Sequence, residues 1–185
     1  MNKLKFLTIL FFTGLLFTAC SNDDDSVPEI VNEDEVITTL IVSLSADGEA
    51  APITLQTRDL DGDGPNPPVF TDSGNLAAGT TYNGTIAVLN ETVSPTEDIT
   101  EEVEEEADAH QFCYTVGSGL NVTTEYGNLD SDGNPLGTEF TLTTGEASSG
   151  TLTFTLRHEP KKPNTGLADA GGETDIAASF SVTVE

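Results

Sequence analysis

Apolar side chains recur at every second position along much of the chain after residue 35. Phe140 and Leu142 are spaced in this way, as are Leu152, Phe154 and Leu156. A period of two is typical of strands that bury one face, and Gly, Asn, Asp and Pro residues fill the gaps between these segments. The pattern predicts eight strands, at residues 36–44, 53–57, 81–89, 110–116, 120–126, 138–143, 151–157 and 176–184. In the first strand the residues predicted to face the core are Val36, Leu40, Val42 and Leu44.

One segment has helical spacing instead. Ser94, with a proline after it and acids in the next turn, has the features of a helix start. Ile99, Val103 and Ala107 then fall on one face of a helix, since they are four residues apart. The run Glu101–Glu106 places like charges at this same spacing, which weakens an isolated helix. We therefore predict one short acidic helix packed across an end of the sheets.

Eight short strands separated by turn-rich gaps predict an all-β fold, an antiparallel β-sandwich that is immunoglobulin-like or similar. Residues 36–185 are enough for one domain with its own core and too few for two. The chain has two cysteines, Cys20 and Cys113, and only the second lies in this domain. No disulfide is therefore expected within the domain.

The first 20 residues have the layout of a secretory signal. Lys3 and Lys5 precede an apolar run of about 11 residues, which is too short to span a membrane and ends in small residues before Cys20. The tetrapeptide at 17–20, Phe-Thr-Ala-Cys, resembles the lipobox of bacterial lipoproteins, in which the cysteine becomes the acylated first residue. The acidic tract at 21–26 resembles the signal that sends lipoproteins of Bacteroidota to the cell surface. These resemblances imply a signal peptide at 1–19, a lipidated Cys20 with an acidic tether at 20–35, and an outer-membrane protein displayed on the surface.

Loss of the signal would leave four basic residues against 32 acidic ones, a formal charge of −28. Such a charge repels nucleic acid, so nucleic acid is not an expected partner, whereas cations are attracted. The sequence contains no nucleophile elbow, phosphate-binding loop, dinucleotide fingerprint or HExxH motif. A binding protein is therefore expected rather than an enzyme.

Two acidic loops share an Asp-x-Asp-Gly core. The first contains Asp59, Asp61 and Asp63; the second contains Asn128, Asp130 and Asp132, with Glu139 at the position of the bidentate carboxylate of a calcium loop. Calcium requires this density of oxygen ligands, but Asp-Gly between two strands is also ordinary turn chemistry. Both interpretations, a calcium loop and a connecting turn, remain open from the sequence.

The two histidines form a second candidate site. Glu106 and His110 lie four residues apart, so a helix extended to His110 would place both on one face. His158 and Glu159 end a later strand. If the four residues met, their imidazole and carboxylate groups would suit zinc or copper. The alternative is that His110 is satisfied by its acidic neighbours and that His158 is a surface residue.

Several longer segments, among them 59–65, 89–92, 99–111, 156–160 and 171–176, are similar to a group of small lipoproteins from flavobacteria and their relatives. That group often carries the label "type 1 periplasmic binding fold superfamily protein". The label implies a two-lobed α/β receptor, whereas the strand pattern predicts a sandwich. The resemblance implies no particular site residues. We expect a surface lipoprotein that captures a metal ion or small ligand, with an outer-membrane TonB-type receptor as partner; the alternative is an adhesion lipoprotein without a small ligand.

Overall fold

A computed structural model describes residues 35–48, 51–62 and 64–185 of the 185-residue chain. The predicted signal peptide, Cys20, the tether up to residue 34 and Asp63 lie outside the described residues. The described part forms a compact unit that includes Glu35. No helix within it is long and apolar enough to cross a membrane.

Two antiparallel sheets make up the domain, as the all-β prediction requires. Within the described residues they contain ten strands, β1 to β10: Thr39–Ser45, Ile53–Arg58, Val69–Asp72, Thr81–Asn90, Glu97–Asp98, His110–Val116, Val122–Tyr126, Glu139–Thr144, Ser148–His158 and Glu173–Val184. The larger sheet has the order β3-β2-β1-β4-β8-β7, with β5 paired to β4. The smaller sheet has the order β10-β9-β6. The α/β architecture implied by the family label is not present in these residues.

The inner faces of the two sheets bury the alternating apolar residues. Leu40, Val42 and Leu44 are fully buried, as predicted. Phe140 of the larger sheet and Phe154 of the smaller one lie with their ring centroids 5.7 Å apart. The core is therefore the layer between the sheets, as in a sandwich.

Val36 does not belong to this core. Its exposed fraction is 55%, because β1 begins only at Thr39 and residues 35–38 approach the sheet outside its ladder. The prediction that Val36 faces the core is wrong. We call residues 35–38 the lead-in segment.

The acidic helix, α1, spans Ile99–Glu105. Its cap is Asp98, whose carboxylate accepts a hydrogen bond from the backbone N–H of Thr100, so the predicted start at Ser94 is wrong. The reason is that Glu97–Asp98 first pairs with the end of β4 as strand β5. Ile99 and Val103 are buried, as the spacing predicts. The helix ends before His110, which is instead the first residue of β6.

Two other elements, β3 and a second helix, α2, at Leu167–Ala170, carry no clear pattern in the sequence. All four residues of β3 are exposed on the edge of the sheet, so they show no alternation of burial. The helix α2 has only four residues and contributes Ala170 to the buried set. Neither element lies at the candidate site described below.

Candidate metal centre

The register of the smaller sheet brings the two histidines together. His110 is the first residue of β6, His158 is the last residue of β9, and the two are paired directly across the ladder. Their ring centroids are 4.8 Å apart. His110 shares its strand face with Phe112, and His158 shares its face with Leu156, so both imidazoles point to the buried side of the sheet.

A third residue reaches the histidines because β10 is irregular at this point. Glu173 pairs with His158 and Thr174 with Arg157, but the next pair is Ile176 with Leu156. Asp175 is the extra residue of this bulge, and a bulge re-aims a side chain that regular alternation would send elsewhere. One carboxylate oxygen of Asp175 lies 3.7 Å from His158 Nδ1, and the Asp175 side chain is only 5% exposed.

The fourth residue, Glu35, comes from the lead-in segment. Its Oε1 lies 3.0 Å from His110 Nε2, and its Oε2 lies 3.5 Å from His158 Nδ1. The side chain of Glu35 is 2% exposed, although the sequence pattern assigns this residue to a solvated tether. Its Oε2 is buried and receives no hydrogen bond within the described part of the chain.

Together these four residues form what we call the strand-end cluster: Glu35, His110, His158 and Asp175. One ligand atom from each lies within 4.8 Å of every other. Ligands placed about 2.0–2.1 Å from a tetrahedral zinc ion are about 3.3 Å from one another. Three contacts in the cluster are 3.0–3.7 Å long, two of them made by different oxygens of Glu35, and the full set of four ligand atoms fits within 4.8 Å. The cluster can therefore supply two nitrogen and two oxygen ligands, and a bound ion would draw the four atoms closer together.

The hydrogen bonding of His110 makes a cation at this point chemically favourable. Its Nδ1 lies 3.2 Å from the backbone carbonyl of Glu106, and a carbonyl can only accept, so a hydrogen bond here requires the proton on Nδ1. The other ring nitrogen, Nε2, then faces a carboxylate of Glu35 that is also an acceptor when ionised. Either a proton on Nε2 or a metal ion between the two groups would resolve this contact. An outer partner that fixes the tautomer is typical of metal-bound histidine.

The charge of the cluster leads to the same two possibilities. Two ionised carboxylates that are 2% and 5% exposed cannot remain buried without positive charge nearby. A divalent ion bound by two neutral imidazoles and two carboxylates gives a neutral site. Two imidazolium ions would also balance the charge, with His158 Nδ1 at ion-pair distances of 3.5 Å from Glu35 and 3.7 Å from Asp175.

Glu106 and Glu159, the carboxylates that the sequence pattern assigns to this site, are not part of the cluster. Glu106 caps the C-terminus of α1 and contributes its backbone carbonyl, not its carboxylate, to His110. Glu159 is exposed and has a positive φ of 46°, in the chain reversal after β9. The premise that α1 extends to His110 is wrong, and with it the expected i, i+4 pair.

The second acidic loop is built around its own hydrogen bonds. Asn128 Oδ1 accepts from the backbone N–H groups of Gly137 and Glu139. Asp130 Oδ1 accepts from those of Asp132 and Asn134, at 3.0 and 2.8 Å. Glu139 is exposed on β8. The oxygens assigned to calcium at positions 128 and 130 are thus directed at N–H groups, as in a connecting turn.

A buried ion pair completes this loop. Asp130 Oδ2 lies 3.0 Å from Lys162 Nζ, and these side chains are 1% and 7% exposed. Burial alone would raise the pKa of Asp130, but the Asn134 N–H and Lys162 together hold that pKa below its usual value. Lys162 also donates to the carbonyls of Ala107 and His110, both at 2.6 Å, and so fixes the backbone beside the strand-end cluster.

The first acidic loop is exposed and shows the same turn chemistry. Asp61 accepts hydrogen bonds from the side chain and backbone of Asn66, and these bonds lower its pKa. Asp59 accepts from the backbone N–H of Asp61 at 3.3 Å. No group of three possible ligands forms there among the described residues, which do not include Asp63.

Comparison of the chain with protein-family models, with curated proteins and with solved structures returns no match.

Proposed function

We propose that this protein is a metal-binding module that holds one divalent transition-metal ion, Zn²⁺ or Cu²⁺, at Glu35, His110, His158 and Asp175. The single observation that carries the proposal is the convergence of two imidazoles and two carboxylates from four separate segments on one buried point. Imidazole nitrogen favours zinc and copper, whereas calcium and magnesium prefer oxygen ligands alone. Calcium is therefore not the expected ion at this centre.

The location belongs to the same proposal and is supported by the sequence of residues 1–26. We propose an outer-membrane lipoprotein, acylated at Cys20 and displayed on the surface, that captures metal for a TonB-type receptor. A strongly acidic surface supports this role, because it raises the local concentration of cations. Radiolabelled palmitate should be incorporated by the natural chain and not by Cys20→Ala. Unlabelled natural protein would contradict the anchor.

Metal binding is tested by titrating Zn²⁺ and Cu²⁺ against a chromophoric chelator, with the full-length chain carrying no histidine tag. The double variant His110→Gln/His158→Gln removes both nitrogen ligands while retaining polar side chains of similar size. We expect its zinc affinity to fall at least about a thousandfold, which corresponds to about 4 kcal/mol. Thermal unfolding should show a zinc-dependent rise in Tm for the natural chain and none for the double variant.

The matched control is Glu106→Gln/Glu159→Gln, which also removes two ligand-type side chains from the same neighbourhood. These carboxylates lie outside the cluster, so zinc affinity should stay within about twofold of the natural value. Equal losses in the two double variants would mean that general acidity or misfolding, and not the cluster, governs binding. Absence of zinc and copper binding by the natural chain would overturn the proposal and favour an adhesion protein with a buried ion-pair network.

A further inference from the structure

We infer that the metal ion acts as a clasp: it fastens the lead-in segment, residues 35–38, to the ends of the smaller sheet, and the segment is released when the ion is absent. This inference rests on the proposed metal binding and adds a structural consequence to it. It makes the placement of residues 35–37 on the domain dependent on metal.

Three of the four ligands need no ion to hold their positions. His110 and His158 are paired across β6 and β9, and Asp175 lies in a bulge of β10 that is flanked on both sides by ladder pairs with β9. Glu35 differs, because it lies outside every strand and leads into β1 of the larger sheet. It is also 75 positions away from His110 along the chain. An ion bound by all four residues would therefore connect the two sheets at this end of the sandwich.

The other contacts of the lead-in segment are concentrated at its last residue. The Thr38 N–H donates to the carbonyl of Leu89 at 2.9 Å, and the Thr38 carbonyl accepts from the N–H of Asp59 at 2.7 Å. The Thr38 hydroxyl also accepts from the N–H of Glu91. Before Thr38, Ile37 is partly buried against the core and Val36 is mostly exposed. The contacts of Glu35 with the two histidines are therefore the polar contacts that hold residues 35–37 in place.

The buried carboxylate of Glu35 gives the clasp its dependence on a cation. Its Oε2 is enclosed without a hydrogen-bond donor from the described residues, and the carboxylate of Asp175 belongs to the same cluster. An ionised carboxylate in such surroundings is stabilised by a bound cation and destabilised without one. Moving the lead-in segment outward would hydrate Glu35 and leave both ladders intact, so this is the least costly response to metal loss.

The clasp acts on the first half of the lead-in segment. Without the ion, the segment would be held to the domain by the packing of Ile37 and by the hydrogen bonds of Thr38 to Leu89, Asp59 and Glu91. Release is therefore expected at residues 35–37, and Thr38 should stay in place.

The test is hydrogen–deuterium exchange of the full-length chain, tag-free and purified in detergent, with and without one equivalent of Zn²⁺. The readout is the amides of Val36 and Ile37, since the Thr38 amide is already hydrogen-bonded to Leu89, and the internal reference is the ladder amides of β8, Glu139–Thr144. We expect zinc to slow exchange at residues 36 and 37 at least tenfold and to leave the reference within twofold. Glu35→Gln should abolish the slowing, and Glu106→Gln, the matched control, should retain it. Zinc occupancy is measured in each sample by chelator competition.

The outcomes separate the two proposals. If the natural chain binds neither Zn²⁺ nor Cu²⁺, the proposed function is overturned and the clasp with it; if it binds Cu²⁺ alone, the same exchange comparison is made with Cu²⁺. Metal bound with unchanged exchange at residues 36 and 37 overturns the clasp alone, as does slow exchange at these two residues that is already present before metal is added. Slowing that persists in Glu35→Gln would also contradict the clasp, because another residue would then hold the segment.

Discussion

The strand-end cluster and the Asn128–Glu139 loop are both rich in metal-type ligands, yet they are built in opposite ways. In the loop, the oxygens of Asn128 and Asp130 accept hydrogen bonds from backbone N–H groups, and Lys162 supplies the positive charge. In the cluster, two imidazoles and two carboxylates converge, and Oε2 of Glu35 is enclosed without a hydrogen-bond donor from the described chain. The supply of backbone donors, more than the density of carboxylates, therefore distinguishes this turn from the candidate metal centre.

The largest effect on stability is expected when the positive charge that Lys162 supplies to the loop is removed. Lys162→Met leaves the buried carboxylate of Asp130 without its ion pair and two carbonyls without their donor. Breaking a buried pair in this way should lower the free energy of unfolding by about 3 kcal/mol, measured by urea denaturation. A loss below about 1 kcal/mol would show that the pair does not hold the loop. Lys162→Arg is the matched control and should recover part of the stability.

A smaller effect, on binding rather than stability, is expected at the bulge of β10. Asp175→Asn removes the charge of one ligand and should lower zinc affinity at least about tenfold to a hundredfold, the range found when an outer-shell partner of a metal ligand is lost. Glu173→Gln is the control, since Glu173 is the residue directly opposite His158 in the ladder but is exposed. If β10 had no bulge, Glu173, which pairs with His158, would be the expected ligand. If Glu173→Gln lowers the affinity more than Asp175→Asn, the bulge does not provide the ligand.

Asn128→Ala tests the turn interpretation of the loop. This change removes an acceptor of two backbone N–H groups and a donor to Thr138 Oγ1. We expect a loss of about 1–2 kcal/mol in the free energy of unfolding, equal in calcium and in chelator. A calcium-dependent difference in Tm for the natural chain that disappears in the variant would restore the calcium interpretation.

The smallest predicted effect concerns an exposed ion pair near the lead-in segment. Hydrogen bonds from Arg58 and Thr39 lower the pKa of Glu91 from 4.5 to about 2. Because the folded-state pKa is depressed, the stabilisation is present above the ordinary value and is lost as the pH falls towards about 2. Thermal unfolding across this window should show a weaker decline for Glu91→Gln than for the natural chain. Parallel curves would contradict the depressed pKa.

Most of the strands are visible in the sequence because burial alternates along them. Strand β4, Thr81–Asn90, carries this alternation and matches the predicted 81–89 to within one residue. Strand β6, His110–Val116, has the predicted bounds although its first four residues are all buried. The start of the helix is harder to predict, because Ser94 and Asp98 are both good caps and only the pairing of Glu97–Asp98 with β4 selects the second. The sequence does not predict edge strand β3, because its four residues are all exposed.

Two of the four residues of the candidate site can be predicted from the sequence. The histidines stand out because they are the only two in the chain, and each lies at the end of a strand pattern. Glu35 could not be identified, since nothing distinguishes it from the acids that precede it until the packing of the lead-in segment is known. Asp175 depends on a bulge, which shifts register by one residue and leaves no periodic signal. The sequence favours Glu106 and Glu159 as ligands, because they lie close to the histidines along the chain. The carboxylates that contact the histidines in the fold come from distant segments.

The most direct test of the account is X-ray absorption at the zinc K edge, on the full-length, tag-free chain with one equivalent of Zn²⁺. The account predicts four nitrogen or oxygen ligands at about 2.0–2.1 Å, with the outer-shell scattering of two imidazoles. The imidazole signal should vanish in His110→Gln/His158→Gln. Six oxygen ligands without imidazole scattering, or a sulfur ligand from Cys113, would contradict a centre built from Glu35, His110, His158 and Asp175.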